Sequence, residues 1–307
     1  MSKIAFVFPG QGAQYTGMGK DFYENSPIAK EVFDQAGRVT GMDLCGLCFE
    51  ENENLNQTKY TQIAMVATEI AILKVVESLG IRPVAAAGLS LGEYAAIAAA
   101  GAMKTEDIFK VVQKRGLFMQ EAVPEGGAMA AVLGLDYPAI EKVLKETEGI
   151  VSIANYNCPG QTVITGWADA VARAAEGLKQ AGARRVLPLK VSGPFHSQLL
   201  TGAGEKLEEV LADVEISDFS VPYVANLTAD YVRSADEVKP LLVKQVSSPV
   251  RFQQSAERMI ADGVDTVVEI GPGKTIAGFM KKIAPSVKVI NVDKWADLEK
   301  LEELIHA

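Results

Sequence analysis

The chain has 307 residues, enough for one large domain with a smaller one inserted, or for two modest domains. Its hydrophobic content of 48% and charged content of 22% are those of an ordinary globular protein. A net charge of −9 excludes a general nucleic-acid surface, which needs a basic field, but leaves room for a local basic patch.

The opening MSKIAFVFPG has an apolar run too short for a signal-peptide core and no small-residue cleavage site after it. The longest apolar block, residues 94–103, stops at Lys104, short of a membrane span. Both features imply a cytoplasmic protein with no membrane partner. Residues 3–8 read as a short buried strand, followed by a glycine-rich loop over 10–19. The pattern is then mostly helical to about residue 78. Within it, 62–76 is apolar enough for a helix buried on most sides. Residues 83–88 read as a second buried strand and 91–100 as an alanine-rich helix. A helix over 105–122 follows, with Thr105 as N-cap and Glu106 and Asp107 in its first turn.

After Pro124-Glu125-Gly126-Gly127 the rhythm changes. A strand over 128–135 precedes a helix over 138–147. Strands over 150–155 and 162–165 are joined through Cys158-Pro159-Gly160. A helix over 168–181 and a strand over 185–191 complete a β-α-β-β-α-β order, the ferredoxin-like unit. Beyond it come a helix over 206–211, a strand over 221–225, helices over 236–245 and 253–262, a strand over 266–270 and a helix from 275. This alternation predicts a mostly parallel sheet with helices on both faces. The expected organisation is an α/β domain of residues 1–124 and 193–307, with a ferredoxin-like insert over 125–192.

Gly88-Leu89-Ser90-Leu91-Gly92 is G-x-S-x-G between a predicted strand and a predicted helix, the setting of a nucleophile elbow. Roughly 0.1 chance matches are expected in a chain this long, so the bare pattern is weak and its setting carries the weight. A serine hydroxyl needs a base. The chain has two histidines, and His306 is the penultimate residue, where chains fray. That leaves His196, in the loop Ser192-Gly193-Pro194-Phe195-His196-Ser197, where the insert rejoins the larger domain. No acid stands out as a third member. A dyad with His196 oriented by a carbonyl or an amide side chain, and a triad, both remain open.

Two glycine loops invite nucleotide readings. Gly10 and Gly12 are followed by Tyr15 where a dinucleotide fingerprint needs its third glycine. Gly271-Pro272-Gly273-Lys274-Thr275 ends like a P-loop but has Val268 where the first glycine belongs, and Pro272 lacks an amide donor. A backbone-donor role for Gln11 fits the first loop better. Cys45 and Cys48 form one C-x-x-C, which reads as two small apolar residues one helical turn apart. With three cysteines and two histidines the chain offers little for a metal site.

Taken together, Phe8-Pro9-Gly10-Gln11-Gly12-Ala13-Gln14, Tyr60-Thr61-Gln62, Gly88-Leu89-Ser90-Leu91-Gly92-Glu93-Tyr94, Arg115-Gly116, Asn157-Cys158-Pro159-Gly160-Gln161, Gly193-Pro194-Phe195-His196, Gln245 with Ser248-Pro249-Val250-Arg251-Phe252, and Glu269-Ile270-Gly271-Pro272-Gly273 resemble the malonyl-CoA:acyl carrier protein transacylase family. They occur in the family's order and span almost the whole chain. The resemblance implies an α/β-hydrolase-like core with a ferredoxin-like insert. It implies Ser90 as the acylated nucleophile, His196 as its base, and the amides of Gln11 and Leu91 as an oxyanion hole. Arg115 would hold the malonyl carboxylate, Gln245 would orient His196 through its backbone carbonyl, and Asn157 would line the pocket. Phe195 resembles members that select malonyl over 2-methylmalonyl. Leu89 departs from the histidine that many members carry, which alters the pocket wall. The implied substrates are malonyl-CoA and acyl carrier protein, with no cofactor, in a monomer. An esterase or thioesterase using the same dyad, a discrete acyltransferase serving a polyketide synthase, and a nucleotide- or carrier-binding module are the competing readings. Arg184, Arg185, Lys190, Lys274, Lys281 and Lys282 are the expected basic rim for an acidic carrier.

Overall fold

The structure is a computed structural model that describes residues 2–191 and 193–305. Ser192, at the expected end of the insert, and His306 lie outside the described residues. The strands in chain order are β1 (Ile4–Phe8), β2 (Ala85–Gly88), β3 (Gly127–Leu133), β4 (Val151–Cys158), β5 (Gln161–Trp167), β6 (Arg185–Pro188), β7 (Tyr223–Val224), β8 (Thr266–Ile270) and β9 (Lys288–Val292).

β1, β2, β7, β8 and β9 form a parallel sheet in the order β7-β2-β1-β8-β9. The order runs outward from β1 in both directions, and a ligand crevice lies beyond the carboxyl ends of such strands. β1 is buried along its whole length. Its Ala5 and Val7 enter one core and Phe6 and Phe8 the other, as strand alternation between two covered faces requires. Phe8 pairs with Gly88, so the loop after β1 abuts the turn after β2. Helix Thr58–Ser78 is buried on nearly every side and packs on helix Thr105–Ala122.

The second sheet is antiparallel, in the order β4-β5-β3-β6. Ala130 and Val132 of β3 pack under helices Tyr137–Glu146 and Ala168–Gln180 with Ile140, Leu144, Val171 and Leu178. Met129 and Ala131 point the other way, into a cleft against the parallel sheet. Backbone bonds Tyr156 N–H to Val250 O (2.9 Å) and Val250 N–H to Ala154 O (2.8 Å) join the two halves.

Several boundaries differ from expectation. Lys104, not Thr105, occupies the N-cap of helix Thr105–Ala122, and no side chain caps it. The segment after β2 starts as a 3-10 turn, Ser90–Gly92, before helix Glu93–Ala100. β6 ends at Pro188, which lacks an N–H to continue the ladder, although Leu189 N–H still reaches Met129 O at 2.9 Å. β7 is two residues long. β9 went unpredicted; it is an edge strand whose Lys288 and Asn291 break the apolar run.

Candidate active site

Ser90 stands at the carboxyl end of β2 with φ 53°, a left-handed conformation that side chains rarely adopt. Glycine on either side makes this possible. A Cβ at Gly88 would lie 1.9 Å from Gly92 C, and one at Gly92 would lie 2.3 Å from Phe8 O. A Cβ at Gly10 would meet Leu89 O at 2.5 Å, so this glycine lets the β1 loop close on the turn. Asn226, just past β7, clamps the turn from both sides. Its Oδ1 accepts from Ser90 N–H at 2.6 Å, and its Nδ2 donates to Gly88 O at 2.6 Å.

His196 is also held at positive φ, 60°, in a loop braced by Pro194 against Gly127 at the start of β3. Its Nε2 is 2.7 Å from Ser90 Oγ, across 106 residues of sequence. Its Nδ1 is 2.9 Å from the backbone carbonyl of Gln245. A carbonyl only accepts, so Nδ1 carries the proton and Nε2 presents its lone pair to the hydroxyl. Burial, then the Arg115 charge, lowers the imidazole pKa from 6.5 to about 4, partly offset by the carbonyls of Gln245 and Ser248. The ring is therefore neutral at pH 7.

Arg115 is 1% exposed. Its Nη1 donates to Gln62 Oε1 at 2.7 Å, and its Nη2 donates to Gln245 Oε1 at 2.9 Å and approaches Ser90 Oγ at 3.4 Å. The Gln245 amide in turn donates to Ser90 O at 2.9 Å and to Glu93 Oε2 at 2.7 Å. Glu93 is buried, and desolvation raises its pKa from 4.5 to about 7, against hydrogen bonds from Gln245 and Asn226 and the charge of Arg115. Ser90, His196 and Arg115 open on one cavity of about 270 Å³.

Gln11, Leu91, Asn157 and Phe195 line the same cavity, and so does Leu89. Asn157 is buried with its Oδ1 unpartnered. Of the site residues expected from the sequence, Gln245 is buried behind this cleft, in contact with Ser90, Arg115 and His196, and the others line it. Sequence reasoning passed over Gln62, Glu93 and Asn226 as site residues. Gln62 and Glu93 lay inside quoted motifs, but nothing in spacing ties them to Arg115 or Gln245. Asn226 follows the strand expected over 221–225, but no spacing or motif in the sequence ties it to Ser90.

Residues 5–294 match the acyl transferase domain family. The malonyl CoA-acyl carrier protein transacylase of Bacillus subtilis is 48% identical over 98% of this chain and 96% of its own length. The enzyme of the same name from Escherichia coli K12 is 43% identical, with 94% of each chain covered. A crystal structure of the Clostridium perfringens transacylase superposes with a TM-score of 0.96 at 43% identity, covering 99% of this chain and 98% of that one. The chain belongs to the malonyl CoA-acyl carrier protein transacylase family.

In this transacylase-family chain the glycine loop that ends like a P-loop is otherwise engaged. Ile276 and Ala277 N–H, which a P-loop would offer to phosphate, already donate to the Glu269 carboxylate at 2.8 and 2.9 Å. Cys45 and Cys48 lie on the short helix Leu44–Phe49. Burial pushes the Cys48 thiol up to about 12, far from a reactive thiolate. Among the described residues no helix is long and apolar enough to cross a membrane.

Proposed function

We propose that this chain transfers a malonyl group from malonyl-CoA to the phosphopantetheine thiol of an acyl carrier protein, through a malonyl ester on Ser90. One observation carries the reading: the hydroxyl bound to a neutral, carbonyl-oriented imidazole lies 3.4 Å from a buried guanidinium in the same cavity. A plain esterase has no use for that cation, whereas an acyl group ending in a carboxylate needs it.

Ser90 Oγ attacks the thioester carbonyl while His196 Nε2 takes its proton. The carbonyl oxygen gains charge, and the amides of Gln11 and Leu91 are the donors assigned to it. As the tetrahedral intermediate collapses the C–S bond breaks and the imidazolium returns its proton to the CoA thiolate. The carrier thiol then enters, loses its proton to His196, and attacks the ester; Ser90 leaves as the hydroxyl. Both steps exchange an acyl group without redox change, so no cofactor is required. Phe195 and Leu89 shape the acyl end, and Asn157 supplies a polar contact beside it.

Architecturally, we assign the parallel-sheet part, residues 1–124 and 193–307, as an α/β-hydrolase-like domain and 125–192 as a ferredoxin-like insert. The β-α-β-β-α-β order and the strand order β4-β5-β3-β6 support the latter. A cytoplasmic monomer is the assembly adopted. The carrier approaches where exposed Leu189 and Val191 border the cavity beside Lys190. Arg185 pairs with Leu133 next to Gln161, whose Oε1 takes Lys282 Nζ at 3.5 Å, which gathers Arg184, Arg185 and Lys282 at one end of the antiparallel sheet. A structure 40% identical to this chain, with a TM-score of 0.96 and covering 99% of this chain and 100% of that one, is of a malonyl-transacylase in complex with a type II polyketide acyl-carrier protein. A polyketide carrier is therefore the second acceptor to try.

The test is to mix enzyme with malonyl-CoA alone and weigh the protein. The expected result is one malonyl group on Ser90, discharged faster by carrier thiol than by water. No adduct would refute the reading, and faster discharge by water would make the protein a hydrolase.

A further inference from the structure

We propose that Glu93 is a positioning residue of this site: one carboxylate oxygen, acting through Gln245 and Asn226, holds base and nucleophile in place and balances the charge of Arg115. The proposal rests on the serine acyl-transfer reading above.

Glu93 lies three residues after Ser90, in the first turn of helix Glu93–Ala100, which places it beneath the elbow at the favourable end of the helix dipole. Its Oε2 accepts from Gln245 Nε2 at 2.7 Å and from Asn226 N–H at 3.1 Å. Each partner leads to one half of the machinery. Gln245 presents the carbonyl that accepts from His196 Nδ1 at 2.9 Å. Asn226 holds Ser90 N–H and Gly88 O, both at 2.6 Å. A guanidinium offers only donors and a carboxylate only acceptors, so one orientation of the Gln245 amide satisfies both neighbours. Oxygen faces Arg115 Nη2 at 2.9 Å and nitrogen faces Glu93. The amide is thus a polar bridge between a buried cation and a buried carboxylate. Among the described hydrogen bonds, Arg115 donates to amide and hydroxyl oxygens, not to a carboxylate. Glu93 is the carboxylate whose field bears on it, across Gln245. Removing Glu93 leaves two buried donors without their acceptor and a buried cation without its counter-charge.

Glu93→Leu and Glu93→Gln separate the two duties. Three readouts apply: melting temperature, kcat and KM for malonyl-CoA, and the rate of Ser90 inactivation by a neutral sulfonyl fluoride, which reads the Ser90–His196 pair without needing Arg115. Glu93→Leu is expected to slow both kcat and inactivation by about 100-fold, the scale of a small misplacement of reacting groups. In Glu93→Gln an amide oxygen can accept the same two bonds without the charge. Inactivation should return to within about threefold of wild type, while at pH 8, where a group with a pKa of about 7 is ionised, KM for malonyl-CoA falls about fivefold because Arg115 attracts the substrate anion unopposed. A Glu93→Leu protein with wild-type melting and wild-type rates overturns the proposal. So does an unchanged KM in Glu93→Gln, whether or not the leucine variant folds. If wild-type enzyme forms no malonyl ester, the function reading fails instead, and the inactivation rates still judge the role of Glu93.

Discussion

The most exposed consequence of the site is the protonation of His196 in acid. Base catalysis needs the neutral ring, and the rate falls as pH drops through the pKa. With that pKa lowered from 6.5 to about 4, the ring is still roughly 90% neutral at pH 5, where an unperturbed imidazole would be only about 3% neutral. The acylation step at pH 5 should therefore run about 30-fold faster than an ordinary histidine would allow. The perturbation that tests the cause is Arg115→Met, which removes the second of the two depressing effects and leaves burial, the first. The acid limb should then move up from about 4 toward, but not past, 6.5. Rapid-quench acylation by malonyl-CoA between pH 3.5 and 8 gives the wild-type profile. Sulfonyl fluoride inactivation gives the Arg115→Met profile without depending on substrate binding. An acid limb at 6 to 7 in the wild type would refute the claim that the imidazole is kept dry. A limb that does not move in Arg115→Met would refute the charge contribution.

Other consequences follow from single contacts. Gly92→Ala sets a Cβ 2.3 Å from Phe8 O and 2.5 Å from Pro9 O, backbone against backbone at an ordinary φ of −62°, so the β1 loop must shift. A loss of about 100-fold in kcat is expected, checked by steady-state kinetics beside Gly202→Ala, whose added Cβ meets nothing within 4 Å. Arg115→Lys keeps the charge but loses the fork to Gln62 and Gln245, and kcat/KM for malonyl-CoA should fall roughly 30- to 150-fold, for a loss of about 2–3 kcal/mol. Glu69 is fully buried with neither carboxyl oxygen partnered, and desolvation raises its pKa well above the usual carboxylate range. The folded state then holds a proton that the unfolded chain releases above about pH 4.5, so this group favours folding at low pH and progressively less as pH rises. Glu69→Met should raise stability at pH 8 by about 1–3 kcal/mol and by less at pH 4, measured by denaturant titration at both values. Neutralising Arg185, Lys190 and Lys282 together should raise KM for carrier protein while leaving the malonyl-CoA half-reaction unchanged; an equal fall in both steps would remove the basic rim from the docking surface.

The local grammar of this chain was legible without coordinates. Two glycines around Ser90, a strand before it and alanine-rich helix after it are short-range features, and short-range sterics write them directly into sequence. The buried helix Thr58–Ser78 and the β-α-β-β-α-β run were readable for the same reason, because hydrophobic periodicity reports which face a segment buries. Boundaries slipped where the local signal was thin. A threonine that could cap sits one residue inside its helix, and edge strand β9 carries polar residues in place of a continuous apolar run.

His196 was nominated by scarcity, but scarcity says nothing about distance. Only the fold brings its ring 2.7 Å from a hydroxyl 106 residues away, and composition and spacing left carbonyl and acid both open as its orienting partner until the fold set Nδ1 on Gln245 O, the carbonyl that the family resemblance implied. The same holds for the bridge Arg115–Gln245–Glu93 and for the Asn226 clamp, whose members come from separate helices and from the loop after β7. Sequence by itself determined which residues could do chemistry and which segments would be helix or strand, since those depend on neighbours along the chain. Tertiary structure decided which of them meet, how dry their meeting place is and therefore what charge each carries, since those depend on neighbours in space.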